Sequence, residues 1–288
     1  MRTDPLISTA ELAAALAGPD GPSLVFVDAR SGPSARDSFE RAHLRGARWV
    51  DLETELAGPH PDPARGGRHP LPSPEAFSVT LTRLGVGPES RVVVYDDQGG
   101  ANAAARFWWM LHAYQHPRVR VLDGGWAAIE EAVAEGSLAL ATGPQPDAAG
   151  PAHPVRAWVS DEADAGDVLR LRTDPRWLVI DVRSPARYRG EVEPIDPVAG
   201  HVPGAVNVPF AENLDARGRF LDAATLRAKY EAVLAGRPIE HVIVHCGSGV
   251  TACHTLLALE RAGLTGALLY VGGWSEWCRR PELPRAPG

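Results

Sequence analysis

The chain has 288 residues, 44% of them hydrophobic and 23% charged, with 29 basic against 36 acidic side chains and a net charge of −7. This composition excludes wholesale disorder, and the acidic balance argues against a nucleic-acid or anionic-membrane binder. The length suits about two domains, no apolar run approaches the ~18 residues that span a bilayer, and three cysteines cannot build a disulfide framework.

Few cysteines and no targeting segment make a reducing cytoplasm the expected setting. Ser8 with Glu11 three residues later reads as a capping box opening an amphipathic helix, not as a signal peptide. A strand over 24–27 ends in Val27-Asp28-Ala29-Arg30-Ser31, and His43-Leu44-Arg45-Gly46-Ala47 follows. Residues 58–74, rich in Pro and Gly, read as a long loop inside the first half, of the kind that is functional or mobile. A strand over 92–95, a helix around Trp108, a strand over Val119–Leu122 and the run Leu122-Asp123-Gly124-Gly125-Trp126 complete that half.

The second half repeats the series. Ser160 opens a helix, Ile180-Asp181-Val182-Arg183-Ser184 ends a strand over 178–180, and His201-Val202-Pro203-Gly204-Ala205 answers His43 to Ala47. Val242–His245 is again a strand, a helix runs over 251–262 with Leu256 and Leu259 on one face, and a strand over 267–271 leads into Gly272-Gly273-Trp274. Landmarks recurring in one order at offsets of about 150 residues are a tandem duplication. Residues 142–154 carry four prolines and two glycines and read as a stiff linker. The expected domains are therefore 1–141 and 155–288. Their strands are apolar on successive residues, as a sheet buried on both faces requires, so each domain is expected to be α/β with a mostly parallel sheet flanked by helices.

The informative stretch is Val244-His245-Cys246-Gly247-Ser248-Gly249-Val250-Thr251. A buried strand ends, two glycines permit unusual backbone angles, and a helix begins. A cysteine there sits where open α/β sheets bind ligands, and loop amides with a helix N-terminus favour a thiolate. The plain alternative is a small core cysteine. A phosphatase loop would carry an arginine where Ala252 stands, so phosphate-ester hydrolysis is disfavoured. Neither His245 nor His254 is obviously aimed at the sulfur. A neutral cradle of backbone donors suits a sulfur-centred anion such as a cysteine persulfide. No metal-ligand spacing is present, and neither metal nor organic cofactor is expected.

The run from Cys246 to Thr251 resembles the active-site loop of tandem-domain rhodaneses, and its Gly-Ser-Gly form is similar to the 3-mercaptopyruvate sulfurtransferase branch. His43 to Ala47, His201 to Ala205 and Gly272-Gly273-Trp274-Ser275-Glu276-Trp277 match the other signatures of that family. The resemblance implies two rhodanese-like domains and ping-pong transfer of sulfur through a persulfide on Cys246. The donor is a small anion, 3-mercaptopyruvate ahead of thiosulfate, because Gly247 and Ser248 replace the basic loop residues of thiosulfate-specific relatives. The acceptor is a thiol, a thioredoxin-like protein or cyanide. A non-enzymatic persulfide carrier fed by a partner protein is the alternative from another class.

Residue roles follow from the same resemblance. Arg187 aligns with an arginine that holds the donor carboxylate, and the amides of Gly247, Gly249, Val250 and Thr251 line the cradle. A second arginine used by the branch is missing from Glu193-Pro194-Ile195-Asp196. Ser248 is either a donor to the leaving group or a turn former. His43 is either a proton relay or, like His201, a loop-fixing histidine. Cys253 is expected in the core, with reversible oxidation against Cys246 as the alternative, and Cys278 is assigned no role. Asp96 stands where Cys246 stands in the second half, so the first domain is expected to be catalytically dead, with Asp96 and Asp97 capping the next helix.

Overall fold

The structure is a computed structural model that describes residues 4–18, 23–59, 61–148, 152–159 and 162–286. Its contacts divide the chain into two units. Unit 1 comprises Met1–Ala57, Pro72–Ser160 and Ala216–Phe220, and unit 2 comprises Gly58–Leu71, Asp161–Asp215 and Leu221–Gly288. These units do not follow a single cut at the linker. The Pro/Gly-rich stretch expected to belong to the first half lies largely in unit 2, and residues 155–159 belong with unit 1. Among the described residues, no helix is long and apolar enough to cross a membrane.

In unit 1 the elements are β1 (Leu6–Ile7), α1 (Thr9–Ala17), β2 (Leu24–Asp28), α2 (Ala35–Arg41), β3 (His43–Leu44) and β4 (Ala47–Trp49). Then come α3 (Pro74–Leu84), β5 (Arg91–Tyr95), α4 (Ala103–Ala113), β6 (Val119–Leu122), α5 (Gly125–Ala134) and β7 (Leu140–Ala141). The sheet runs β1-β6-β5-β2-β4 with every pairing parallel, while β3 and β7 form a small antiparallel pair. Local chemistry sets the helix ends. The Ser8 hydroxyl accepts the Glu11 amide and the Glu11 carboxylate accepts the Ser8 amide, the capping box expected there. Ser73 caps α3 in front of Pro74.

Unit 2 contains α6 (Ala165–Leu171), β8 (Leu178–Asp181), α7 (Pro185–Tyr188), β9 (Val206–Asn207), α8 (Ala223–Leu234), β10 (Val242–His245), α9 (Thr251–Arg261), β11 (Leu268–Leu269) and α10 (Gly273–Trp277). Its sheet runs β11-β10-β8-β9, again wholly parallel. Ser160 lies outside the described residues, and α6 is opened instead by a capping box between Asp164 and Asp167. The core packs Val179 and Ile243 of the central strands against Val168, Tyr270, Trp274 and Trp277. Both tryptophans are fully buried, and their indole N–H groups donate to the carbonyls of Val198 and Pro284. They are packing residues with satisfied polar tips.

The duplication extends to the charged anchors. In unit 1 the Arg30 guanidinium clasps Asp28, donates to the Ala42 carbonyl at 2.7 Å and lies 4.1 Å over Trp126. In unit 2 Arg183 clasps Asp181, donates to the Gly200 carbonyl at 2.8 Å and lies 5.0 Å over Trp274. Both pairs are buried and hydrogen-bonded, which is the condition under which buried charge is tolerated.

Candidate active site

Cys246 follows the last residue of β10, and α9 begins five residues later. It sits at the carboxyl end of the second strand in the order β11-β10-β8-β9, with only 1% of its surface exposed. Open parallel sheets place ligands at that end, and an eleven-residue helix directs its N-terminal amides and partial positive charge toward the same point. Gly249 adopts φ +71°, which lets the loop fold over the sulfur; a Cβ there would lie 2.5 Å from the Val271 carbonyl oxygen.

The first unit reveals what such a loop holds. The Asp96 carboxylate, wholly buried, accepts the amides of Gln98 (2.9 Å), Gly100 (2.8 Å), Asn102 (3.1 Å) and Ala104 (3.2 Å). Burial raises the carboxyl above its ordinary range, against the pull of those four amides. Asp96 thus does the capping expected of it, and its loop is an occupied anion cradle. The carboxylate oxygens lie two bonds from Cβ, as the outer sulfur of a cysteine persulfide does.

Above the Cys246 loop the cations gather. A Cβ built on Gly247 would lie 3.2 Å from Nη2 of Arg68 and 3.7 Å from both terminal nitrogens of Arg187. Arg187 pairs with Glu193 at 2.7 Å and lies 3.5 Å from Asp196. Arg68 pairs directly with the other oxygen of Asp196, and Arg279 donates to that oxygen at 2.8 Å. Arg187 is therefore where the sequence places it, beside the loop. Arg68 and Arg279 are cations that the sequence reading missed, and Asp196, set aside there as a non-arginine, is what holds them.

Ser248 also has a partner that the sequence did not disclose. Its hydroxyl lies 2.7 Å from Nδ1 of His69, two residues before the end of Gly58–Leu71. That segment is seated by the Arg68 amide, which donates to the Ser275 hydroxyl at 3.1 Å, while that hydroxyl donates to the Gly272 carbonyl. The signal available in the sequence was the Arg68-His69 pair inside a loop already marked by its length. Nothing linked it to a cysteine 177 or more positions further along the chain.

His43 takes the other of its two readings. Its ring is completely buried in unit 1, stacked 4.0 Å from Phe39, and Nδ1–H donates to the Phe39 carbonyl at 2.8 Å. His201 does the same in unit 2, stacked 3.9 Å from Tyr188 and donating to its carbonyl at 2.9 Å. Identical duty in both units marks a loop-fixing histidine, and a ring with no exposed surface is poorly placed as a relay. The Nδ1 hydrogen bond and the burial of His43 favour the loop-fixing reading over the relay.

The remaining thiols are structural. Cys253 is buried on α9 and its Sγ–H donates to the Gly249 carbonyl at 3.3 Å, which ties helix to loop. Burial and the neighbouring Asp196 raise the Cys278 thiol, which keeps it a poor nucleophile. His245, also buried, has its basicity lowered by desolvation against the attraction of Asp181, and its Nδ1–H donates to the Cys246 carbonyl at 3.2 Å. It supports the loop backbone and not the sulfur. Among the described residues no group of His, Cys, Asp and Glu could hold a metal ion.

Comparison with known proteins places this arrangement. The rhodanese-like domain profile matches residues 8–132 and 164–280. The chain is 40% identical over its whole length to the full-length "Probable 3-mercaptopyruvate sulfurtransferase" of Pseudomonas aeruginosa. It is 38% identical, over 98% of its length and 97% of the relative's, to SseB of Mycobacterium tuberculosis, which carries the provisional name of a thiosulfate sulfurtransferase. SseA of Escherichia coli, a 3-mercaptopyruvate sulfotransferase of known structure, superposes with a TM-score of 0.74 at 32% identity, over 95% of this chain and 100% of that one.

Proposed function

The chain belongs to the rhodanese-like domain family, and from that premise we propose that it is a sulfurtransferase taking sulfur from 3-mercaptopyruvate. The observation that carries the reading is the placement of the Arg68 and Arg187 guanidiniums over the loop that begins at Cys246. A planar cation beside a nucleophile suits a donor with a carboxylate at one end and sulfur at the other.

In the first half-reaction the Cys246 thiolate attacks the sulfur of 3-mercaptopyruvate. The S–S bond forms as the C–S bond breaks, and its electron pair leaves on pyruvate as the enolate, which then takes a proton. The Ser248 hydroxyl, oriented by His69 at 2.7 Å, donates to the oxygen on which that charge grows. Loop amides hold the persulfide as those around Asp96 hold its carboxylate. In the second half-reaction an acceptor thiolate, a thioredoxin-like protein or cyanide attacks the outer sulfur and regenerates Cys246. Three free cysteines, all buried, are in keeping with a reducing cytoplasm as its setting.

The name carried by SseB favours thiosulfate as the second donor reading. The deciding experiment measures turnover of both donors by wild type and Cys246→Ser, and weighs the intact protein after donor exposure. One sulfur gained by wild type alone, with a higher kcat/KM for 3-mercaptopyruvate, is the expected result. Faster thiosulfate turnover would reassign the donor, and no gain from either would make the protein a partner-fed carrier.

A further inference from the structure

The geometry points to Asp196 as the residue that sets the charge of the acceptable donor, restricting the site to monoanions by neutralising part of its arginine cluster. This inference rests on the reading of the Cys246 loop as an anion site and deepens it.

The charges above the loop form one continuous network. Asp181 clasps Arg183, Arg183 reaches Glu193 at 3.4 Å, Glu193 holds Arg187, and Arg187, Arg68 and Arg279 share Asp196. Four guanidiniums face three carboxylates, so one positive charge is left over. The three carboxylates and Arg183 are the buried members, with side-chain exposures of 0%, 4% and 0% for Asp181, Glu193 and Asp196 and 2% for Arg183. The side chains of Arg68, Arg187 and Arg279 are the more accessible ones, at 20%, 18% and 23%. An incoming anion therefore meets cations whose charge is offset from behind.

A ligand carrying one carboxylate matches the surplus guanidinium, and the Cys246 thiolate adds one negative charge whichever donor binds. A dianion such as thiosulfate leaves an excess negative charge in a site already shielded from water, where uncompensated charge is most costly. Asp196 also occupies Arg68 and Arg279, whose donors a tetrahedral dianion would otherwise use. Replacing that carboxylate with an amide of the same shape adds one net positive charge and weakens the hold on both arginines. Asp196 is a positioning residue, since it acts through arginines and does not itself meet the donor.

The test is anion binding measured by calorimetry on the full chain, with pyruvate as the monoanion and sulfate as the dianion, alongside donor turnover. In Asp196→Asn the ratio of sulfate to pyruvate affinity is expected to rise at least tenfold, and thiosulfate kcat/KM is expected to rise relative to 3-mercaptopyruvate. Arg68→Gln, which removes a cation while leaving Asp196 in place, is expected to move the affinity ratio the other way, and it reads the same balance should Asp196→Asn fail to fold. Glu231→Gln removes an exposed carboxylate paired with Arg227 on α8 and is expected to leave the ratio unchanged. An unchanged ratio in a folded Asp196→Asn, or an equal shift in Glu231→Gln, would overturn the inference, as would an unmoved ratio in Arg68→Gln. Absence of turnover in wild type would count against the sulfurtransferase reading alone, because the binding measurement needs no transfer.

Discussion

The amide of Trp274 donates to the carbonyl of Cys246 at 2.9 Å. This bond fixes the carbonyl at the strand end while the following loop turns over the sulfur. Its counterpart joins Trp126 to Asp96 at 2.8 Å, so both copies of the duplicated unit retain it. The glycine before each tryptophan makes the approach possible. Gly273 has φ +55° and a Cβ on it would lie 2.6 Å from the Cys246 carbonyl oxygen; for Gly125 the corresponding values are +54° and 2.3 Å from that of Asp96. Gly273→Ala should cost roughly 1–3 kcal/mol of stability and sharply reduce sulfur loading at Cys246. Gly125→Ala should cost as much in denaturant titrations yet leave loading at Cys246 intact, which separates backbone strain from chemistry.

Asp96 offers a measure of what an anion contributes to its loop. Asp96→Ala strands four amides that now share one carboxylate, and a loss of roughly 3 kcal/mol or more is expected from unsatisfied buried donors. Asp96→Asn, which keeps one acceptor oxygen, should fall between. Urea unfolding of the three proteins checks the order.

The His69–Ser248 pair should act on the first half-reaction. Ser248→Ala and His69→Gln are expected to lower kcat for 3-mercaptopyruvate by about 100-fold, the low end for a positioned proton donor, with KM changing far less. The double variant should lose little more than either single one, since both act through one hydroxyl. Additive losses in steady-state kinetics would show two separate roles.

A pH dependence of folding comes from unit 1. Desolvation lowers the His116 imidazole to about 4 from its ordinary 6.5, although Nε2–H donates to the Ser90 carbonyl at 2.9 Å. The folded state then binds this proton more weakly than the unfolded chain. Stability from His116 is complete above about pH 6.5 and is lost as pH falls through 6.5 toward 4, by on the order of 3 kcal/mol. His116→Gln, which retains an N–H for Ser90, should flatten the stability profile across that window in thermal melts.

The duplication, the parallel sheets and Cys246 were legible because their signals are local. Continuous apolar runs such as Val242–His245 mark buried strands, and a strand–glycine–helix junction marks the carboxyl end of the sheet, where ligands bind. Helix starts were legible where a capping pair adjoined them, as at Ser8, and went astray at Ser160, where the cap that α6 uses is Asp164. The outer half of the site was hidden for a different reason. Arg68 reaches Asp196 across 128 positions and His69 reaches Ser248 across 179, and no periodicity encodes such a contact. Asp196 was passed over because its stretch was searched for a second substrate arginine, when its work is to hold three arginines.

The allocation of Gly58–Leu71 to unit 2 bears on how this protein can be dissected. A gene fragment encoding residues 155–288 preserves the nucleophile, the sheet beneath it and Arg187, and by sequence it would pass as a complete catalytic half. It would nonetheless lack Arg68 and the partner of Ser248, both encoded upstream of the linker. The repeats are separable as text but not as enzymes: deleting the first half removes a segment on which the site of the second depends.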